Sequence, residues 1–184
     1  MTLVKVRSRG INLADDFAFT GSVSGAGGGI TEYDQYRLSS SFTGNAVPIG
    51  SNLERNDSAD FEKIGTGVSN SSGTFTFPST GKWEIHFNIS TAANTQNADN
   101  FSIGILTTVN NSDYTERAVA QIGQTSEGNS GFRNASVITF FDCTDVSTHK
   151  ARFFVNDISG SQVSISADTN KNVTYMTFKK IGDT

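Results

Sequence analysis

Two histidines, one cysteine and scattered carboxylates are the first places to look for a nucleophile, a general base or a metal ligand in this 184-residue chain, and their spacing gives them little to do together. His86 falls on the polar side of an alternating segment and His149 in a Ser-Thr-His-Lys turn. Neither belongs to a pattern such as H-E-x-x-H, and no EF-hand-like Asp-x-Asp-x-Asp-Gly loop accompanies them. Cys143 follows Phe-Phe-Asp at the end of an apolar run. A lone thiol excludes an intramolecular disulfide or a multi-thiolate metal site within one chain, and reads as a small buried hydrophobe. Asp15 and Asp16 form a carboxylate pair, but neighbours on extended chain point apart and cannot flank one glycosidic bond. The run from Gly25 to Gly29, interrupted by Ala26, lacks the Gly-Lys-Ser/Thr ending and the βαβ setting of a phosphate loop. The expectation is a protein that is not an enzyme and uses no cofactor or metal.

The elements that would position these side chains are strands. From Gly73 to Ser90 the chain reads G-T-F-T-F-P-S-T-G-K-W-E-I-H-F-N-I-S. Pro78 and Gly81 supply turn chemistry between a short alternating piece and a long one. In the long one Trp83, Ile85, Phe87 and Ile89 face one way and Glu84, His86, Asn88 and Ser90 the other. On a helix those four apolar residues would spread around the whole circumference, so a strand with one buried face is the reading. Ile and Val number 25 against 5 Leu, a β-branched excess that favours pleated strands.

Further strands are expected at Tyr36 to Phe42, Phe101 to Ile105, Arg117 to Ile122, Asn134 to Cys143, Ala151 to Val155, Val163 to Ile165 and Val173 to Phe178, with one short strand at most in the polar section from Gly50 to Asp60. No heptad or longer repeat is visible. Eight to ten strands with regular turn signals predict an all-β fold: an antiparallel two-sheet jelly-roll sandwich over residues 31–184, preceded by an arm and glycine hinge over residues 1–30. The arm carries Lys5, Arg7 and Arg9 and the aromatic Phe17 and Phe19, which need burial on the chain's own body, on a neighbouring subunit or on a larger assembly.

Three segments, V-I-T-F-F from Val137, A-R-F-F-V from Ala151 and T-Y-M-T-F from Thr174, are apolar on both faces. A sandwich strand ordinarily keeps one wet face, so a second cover is expected for these, and the closing strand is expected in the middle of a sheet. The residues expected to meet across a subunit interface are Val137, Ile138, Phe140, Phe141, Phe153, Phe154, Tyr175, Met176 and Phe178. The Gly-, Ser- and Asn-rich loops supply candidate ligand contacts at Asn94, Asn97, Asn100, Asn129 and Phe132, and Tyr33, Tyr114 and Trp83 are aromatic residues able to stack on a sugar, Trp83 the poorest because its alternation places it in the core.

A formal charge of −4 argues against nonspecific nucleic-acid binding. No run approaches a membrane-spanning length, and M-T-L-V-K-V-R lacks the apolar region of a secretory signal, so synthesis in a cytosol without membrane insertion is expected.

The segment from Gly73 to Phe87, with its phenylalanine-proline strand end, turn glycine and aromatic lead-in to a long strand, resembles jelly rolls of the complement-q and tumour-necrosis-factor superfamily. Thr174 to Phe178 is similar to the last central strand of that family and S-V-I-T-F-F to the strand near its trimer axis. The collagen stem and the S-G-F-L closing motif of the animal members are absent. The first segment, K-V-R-S-R-G-I-N-L-A-D-D-F-A-F-T-G-S-V-S-G-A-G, looks like the start of virion structural proteins of tailed phages that infect marine cyanobacteria. These resemblances imply a homotrimer displayed on a virion assembled in the host cytoplasm. In it the arm would hold other virion proteins and the head would serve as a tail-fibre or host-binding component, with a host-surface glycan as a further partner. Capsid decoration, a head fibre and a free carbohydrate-binding module are the alternatives.

Overall fold

The computed structural model describes residues 29–93, 100–123, 131–158 and 163–184. Twelve strands follow in order: β1 Tyr33–Leu38, β2 Phe42–Thr43, β3 Leu53–Arg55, β4 Ser69–Ser71, β5 Thr74–Thr76, β6 Gly81–Ala93, β7 Asn100–Thr108, β8 Thr115–Gly123, β9 Gly131–Cys143, β10 Lys150–Asn156, β11 Val163–Ile165 and β12 Tyr175–Gly182. Among the described residues there is no helix, and so none long and apolar enough to cross a membrane.

The strands form two antiparallel sheets. The first is built on β6, which pairs along its whole length with β9 on one side, and on the other with β12 and then β11. Beyond β12 come β1 and β3, and β2 flanks β11. The second runs β4-β5-β10-β7-β8. The closing strand β12 therefore sits between β1 and β6, in the sheet interior as the sequence expects of a run apolar on both faces. The two-residue β2 and the three-residue β4 raise the count above the eight to ten expected, because pairings as short as Ser69–Ser71 leave no periodic signal, while β3 is the one short strand allowed between Gly50 and Asp60.

The alternation of β6 is realised in full. Its odd positions from Gly81 to Ala93 are buried and its even positions face out. Between the sheets Phe75, Phe77, Trp83, Phe87, Phe153 and Phe178 form one aromatic cluster, with ring centroids 4.9 Å apart for Phe75–Phe178, 5.1 Å for Phe77–Trp83 and 5.2 Å for Phe87–Phe153. Tilted and edge-on contacts of this kind stabilise beyond the area they bury.

Gly73 and Gly104 are among the glycines demanded by geometry. Gly73 turns the chain between β4 and β5 at φ +79°, where a Cβ would strike the carbonyl of Ile49. Gly104, in the middle of β7, lies under the ring of Phe154, and a Cβ there would meet that ring and come within 2.5 Å of the Ala118 carbonyl oxygen. This is how β10 carries apolar residues on both faces within one subunit: Phe153 enters the core, and Phe154 lies over a strand that has no side chain at that point.

Candidate functional site

The outward surface of the β6 sheet is where the fold leaves chemistry on display. Register fixes its rows. Glu84 stands between Phe140 and Lys179, His86 between Ile138 and Thr177, and Asn88 between Ser136 and Tyr175, while Tyr33, Gln35 and Arg37 of β1 continue the rows beyond β12.

At one margin lies β9. Its even positions point outward, leaving Phe132, Ile138 and Phe140 at 67 %, 54 % and 68 % exposure, and among the described residues no strand pairs with its free edge. β8 is likewise the last strand of its own sheet and exposes Val119. One side of the sandwich is thus flanked by two strands of 13 and 9 residues, each with an edge that is unpaired among the described residues. A long edge with apolar side chains and few charges is a template for association unless something covers it.

This surface corrects the expected interface. Val137, Phe141, Phe153, Phe154, Met176 and Phe178 are buried inside one subunit. Strand parity turns Val137, Phe141, Met176 and Phe178 toward the second sheet and Phe153 of that sheet toward the first, and Phe154 is accommodated over Gly104. Of the expected set only Ile138 and Phe140 stand open, with Tyr175 half-buried.

The middle of the face is half-buried and mixed. His86 meets the Tyr175 ring edge-on at 5.9 Å, and Glu84 pairs with Lys179 at 2.7 Å. Partial burial holds the His86 imidazole below its ordinary pKa, opposed by the Glu84 carboxylate, so the neutral ring is favoured at physiological pH.

At the opposite margin, residues 56–62 and 169–172 rise on either side of β1 and enclose a polar cleft. Its two connected lobes measure about 460 and 390 Å³ and share Arg37, Ser58, Asp60 and Asn170. The floor is a fixed network. Arg37, 1 % exposed, donates through Nε to Glu54 at 2.8 Å, through one terminal nitrogen to Asn56 Oδ1 at 2.9 Å and Ser58 Oγ at 3.0 Å, and through the other to Asp57. Gln35 Oε1 accepts from Asn56 Nδ2 and from Asn172 Nδ2, both at 2.7 Å. Tyr33 and Phe61 form the aromatic wall, their rings 6.3 Å apart. On the inward side of β1 Asp34 is buried and accepts from the partly exposed Arg55, whose Nε donates to both carboxylate oxygens at 3.1 Å, and burial pushes the Asp34 carboxyl above the usual range despite that partner.

The remaining candidate chemistry does not converge. His149 is buried between hydroxyls, Nε2 at 3.2 Å from Thr144 Oγ1 and Nδ1 at 3.1 Å from Thr148 Oγ1, with its ring against Phe141. The Cys143 thiol is fully buried and burial raises its pKa to about 11, which leaves no useful thiolate at neutral pH. Among the described residues no three His, Cys, Asp or Glu side chains gather as metal ligands. Tyr114 is stacked under Arg152 at 3.8 Å, so one ring face is taken, and Trp83 is in the core as its alternation predicts. Asn100 opens β7, and Phe132 is exposed on β9. Asn94, Asn97 and Asn129, and the arm residues Lys5, Arg7, Arg9, Phe17 and Phe19 with Asp15 and Asp16, lie outside the described residues. The cleft is the feature that sequence reasoning missed. Its signal was faint: polar residues at both parities of Y-D-Q-Y-R-L, which argue for a strand with neither face simply wet.

The fold so defined is a jelly roll of the tumour-necrosis-factor type: all-β, two antiparallel sheets, the closing strand inside the sheet. Among solved structures the chain is similar to murine APRIL, crystallised at pH 5.0, with a TM-score of 0.58 and 7 % identity over 82 % of this chain and 98 % of that one. No protein-family model matches the sequence, and no curated protein does.

Proposed function

We propose that the chain is a non-enzymatic, self-assembling display protein: a homotrimeric jelly roll held on a virion by its basic, aromatic arm, with the head turned outward as a tail-fibre or host-binding component. The observation that carries the assembly is the exposure of Phe132, Ile138 and Phe140 on a strand whose outer edge has no partner among the described residues. One subunit's β8 and β9 margin covers the half-buried His86, Thr177 and Tyr175 of the next. Because the two surfaces differ, the contact is head-to-tail, and a threefold rotation closes it into a ring without loose ends. The virion role is supported by the likeness of residues 5–27 to phage structural proteins and by the arm, hinge and body order of the sequence.

Sedimentation velocity tests the assembly: a three-chain species at micromolar concentration supports it, and a monomer overturns it. Quantitative densitometry of purified particles tests the position, since a tail-fibre component is present in few copies and a capsid decoration protein in tens to hundreds.

A further inference from the structure

We infer that the cleft on β1 is a saccharide-binding subsite, a site separate from the loops that the sequence marks and independent of the assembly reading. The cleft and the β9 row occupy opposite margins of one sheet face, with β6 and β12 between them.

Three features of the cleft select the ligand class. First, its floor holds a free donor. Gln35 is only 8 % exposed and lines the cleft, its oxygen is saturated by Asn56 and Asn172, and among the described residues its Nε2 amide has no hydrogen-bond partner. The two amide bonds fix which end of Gln35 is nitrogen, so the donor is preorganised. Second, the rim offers acceptors and small polar groups: Asp60, an exposed carboxylate with no ion-pair or hydrogen-bond partner among the described residues, and Asn170 beside it. Third, the wall is aromatic, with Tyr33 and Phe61 half-buried and set against each other.

A ligand that satisfies all three carries hydroxyls that both donate and accept, and a patch of C–H groups to lie on a ring. Anionic ligands fit poorly. Arg37 is the cation of the floor, and its charge is already engaged by Glu54 and Asp57, so an added phosphate or carboxylate would meet the Asp57 and Asp60 carboxylates without a free counter-charge. A purely apolar ligand would leave the Gln35 amide and the rim desolvated and unpaired. Neutral hexoses and N-acetylhexosamines match: vicinal hydroxyls for Asp60 and the Gln35 amide, and a ring face for Phe61. Two connected lobes leave room for more than one sugar unit, so an oligosaccharide is the ligand.

The test titrates the full chain with soluble neutral hexose and N-acetylhexosamine oligosaccharides, followed by isothermal calorimetry and by amide chemical shifts. Expected is saturable binding that shifts the Gln35 side-chain amide and the Phe61 and Asn170 backbone amides. Asp60→Ala and Phe61→Ala each weaken it at least tenfold, Asp60→Ala with the thermal midpoint unchanged, and Gln121→Ala, at another polar recess, leaves it intact. Absence of saturable binding across the panel overturns the proposal, as does binding that survives both cleft substitutions. Sedimentation on the same samples separates this outcome from a failure of the assembly, since Asp60→Ala and Phe61→Ala leave the subunit count unchanged.

Discussion

Replacing Phe140 with threonine is the sharpest test of the assembly, because the side chain is 68 % exposed in the single subunit and contributes little to its core. With roughly 200 Å² for a phenylalanine side chain, about 135 Å² is available for burial by a neighbour. At ~25 cal/mol per Å² that area is worth about 3 kcal/mol per contact. A ring of three contains three such contacts, so Phe140→Thr removes roughly 9 kcal/mol from the trimer, or six to seven decades in its dissociation constant. The concentration at half-dissociation varies as the square root of that constant, so it rises on the order of a thousandfold. Threonine is chosen because a β-branched residue keeps the strand, and the urea midpoint of the isolated subunit should hardly move. Sedimentation velocity across a dilution series reads the shift. A wild-type chain that is monomeric throughout, or a substituted trimer that dissociates within tenfold of the wild-type concentration, refutes the reasoning.

Three further outcomes follow from packing and charge. Gly104→Ala gains a few tenths of a kcal/mol to about 1 from the unfolded chain but forces the Phe154 ring and the Ala118 carbonyl aside, and the overpacking wins by about 1–2 kcal/mol in urea denaturation. Arg37→Lys loses the fork that reaches Glu54, Asn56, Ser58 and Asp57 together, and stability falls by about 2 kcal/mol in the same assay. Burial raises Cys143 from 9.0 to about 11, so below pH 9 the thiol is neutral whether folded or not, and above it only the unfolded chain loses its proton. The fully buried thiol therefore costs wild type about 2–3 kcal/mol of stability between pH 9 and 11, and a Cys143→Ala chain has the flatter pH profile by that amount.

The long strands were legible in the sequence because one physical signal governs them. Trp83, Ile85, Phe87 and Ile89 must share one face, and the structure buries all four. Placing the last strand inside a sheet also followed from the sequence, since Met176 and Phe178 on one side and Tyr175 on the other leave β12 no wholly wet face. What pattern could not distinguish was a strand apolar on both faces because another copy covers it from one covered by its own chain. Phe154 shows why: its cover depends on Gly104, fifty residues earlier, and on strand pairing that no local window contains. The cleft was hidden for the same reason. Asn172 reaches Gln35 from 137 residues away, and a polar residue on a strand reads as solvated until its partners are in place. Asp34 and Arg37, both 1 % exposed, are where that rule failed.

The position of β12 between β1 and β6 has a consequence for biosynthesis. On a ribosome the first eleven strands emerge before their sheet can be completed, and until the twelfth arrives two long rows of backbone amides and carbonyls stand open, one on either side of the gap. A nascent chain in that condition is exposed to pairing with its neighbours on a polysome. Its yield should therefore depend on chaperone occupancy and growth temperature more than the stability of the finished molecule would suggest.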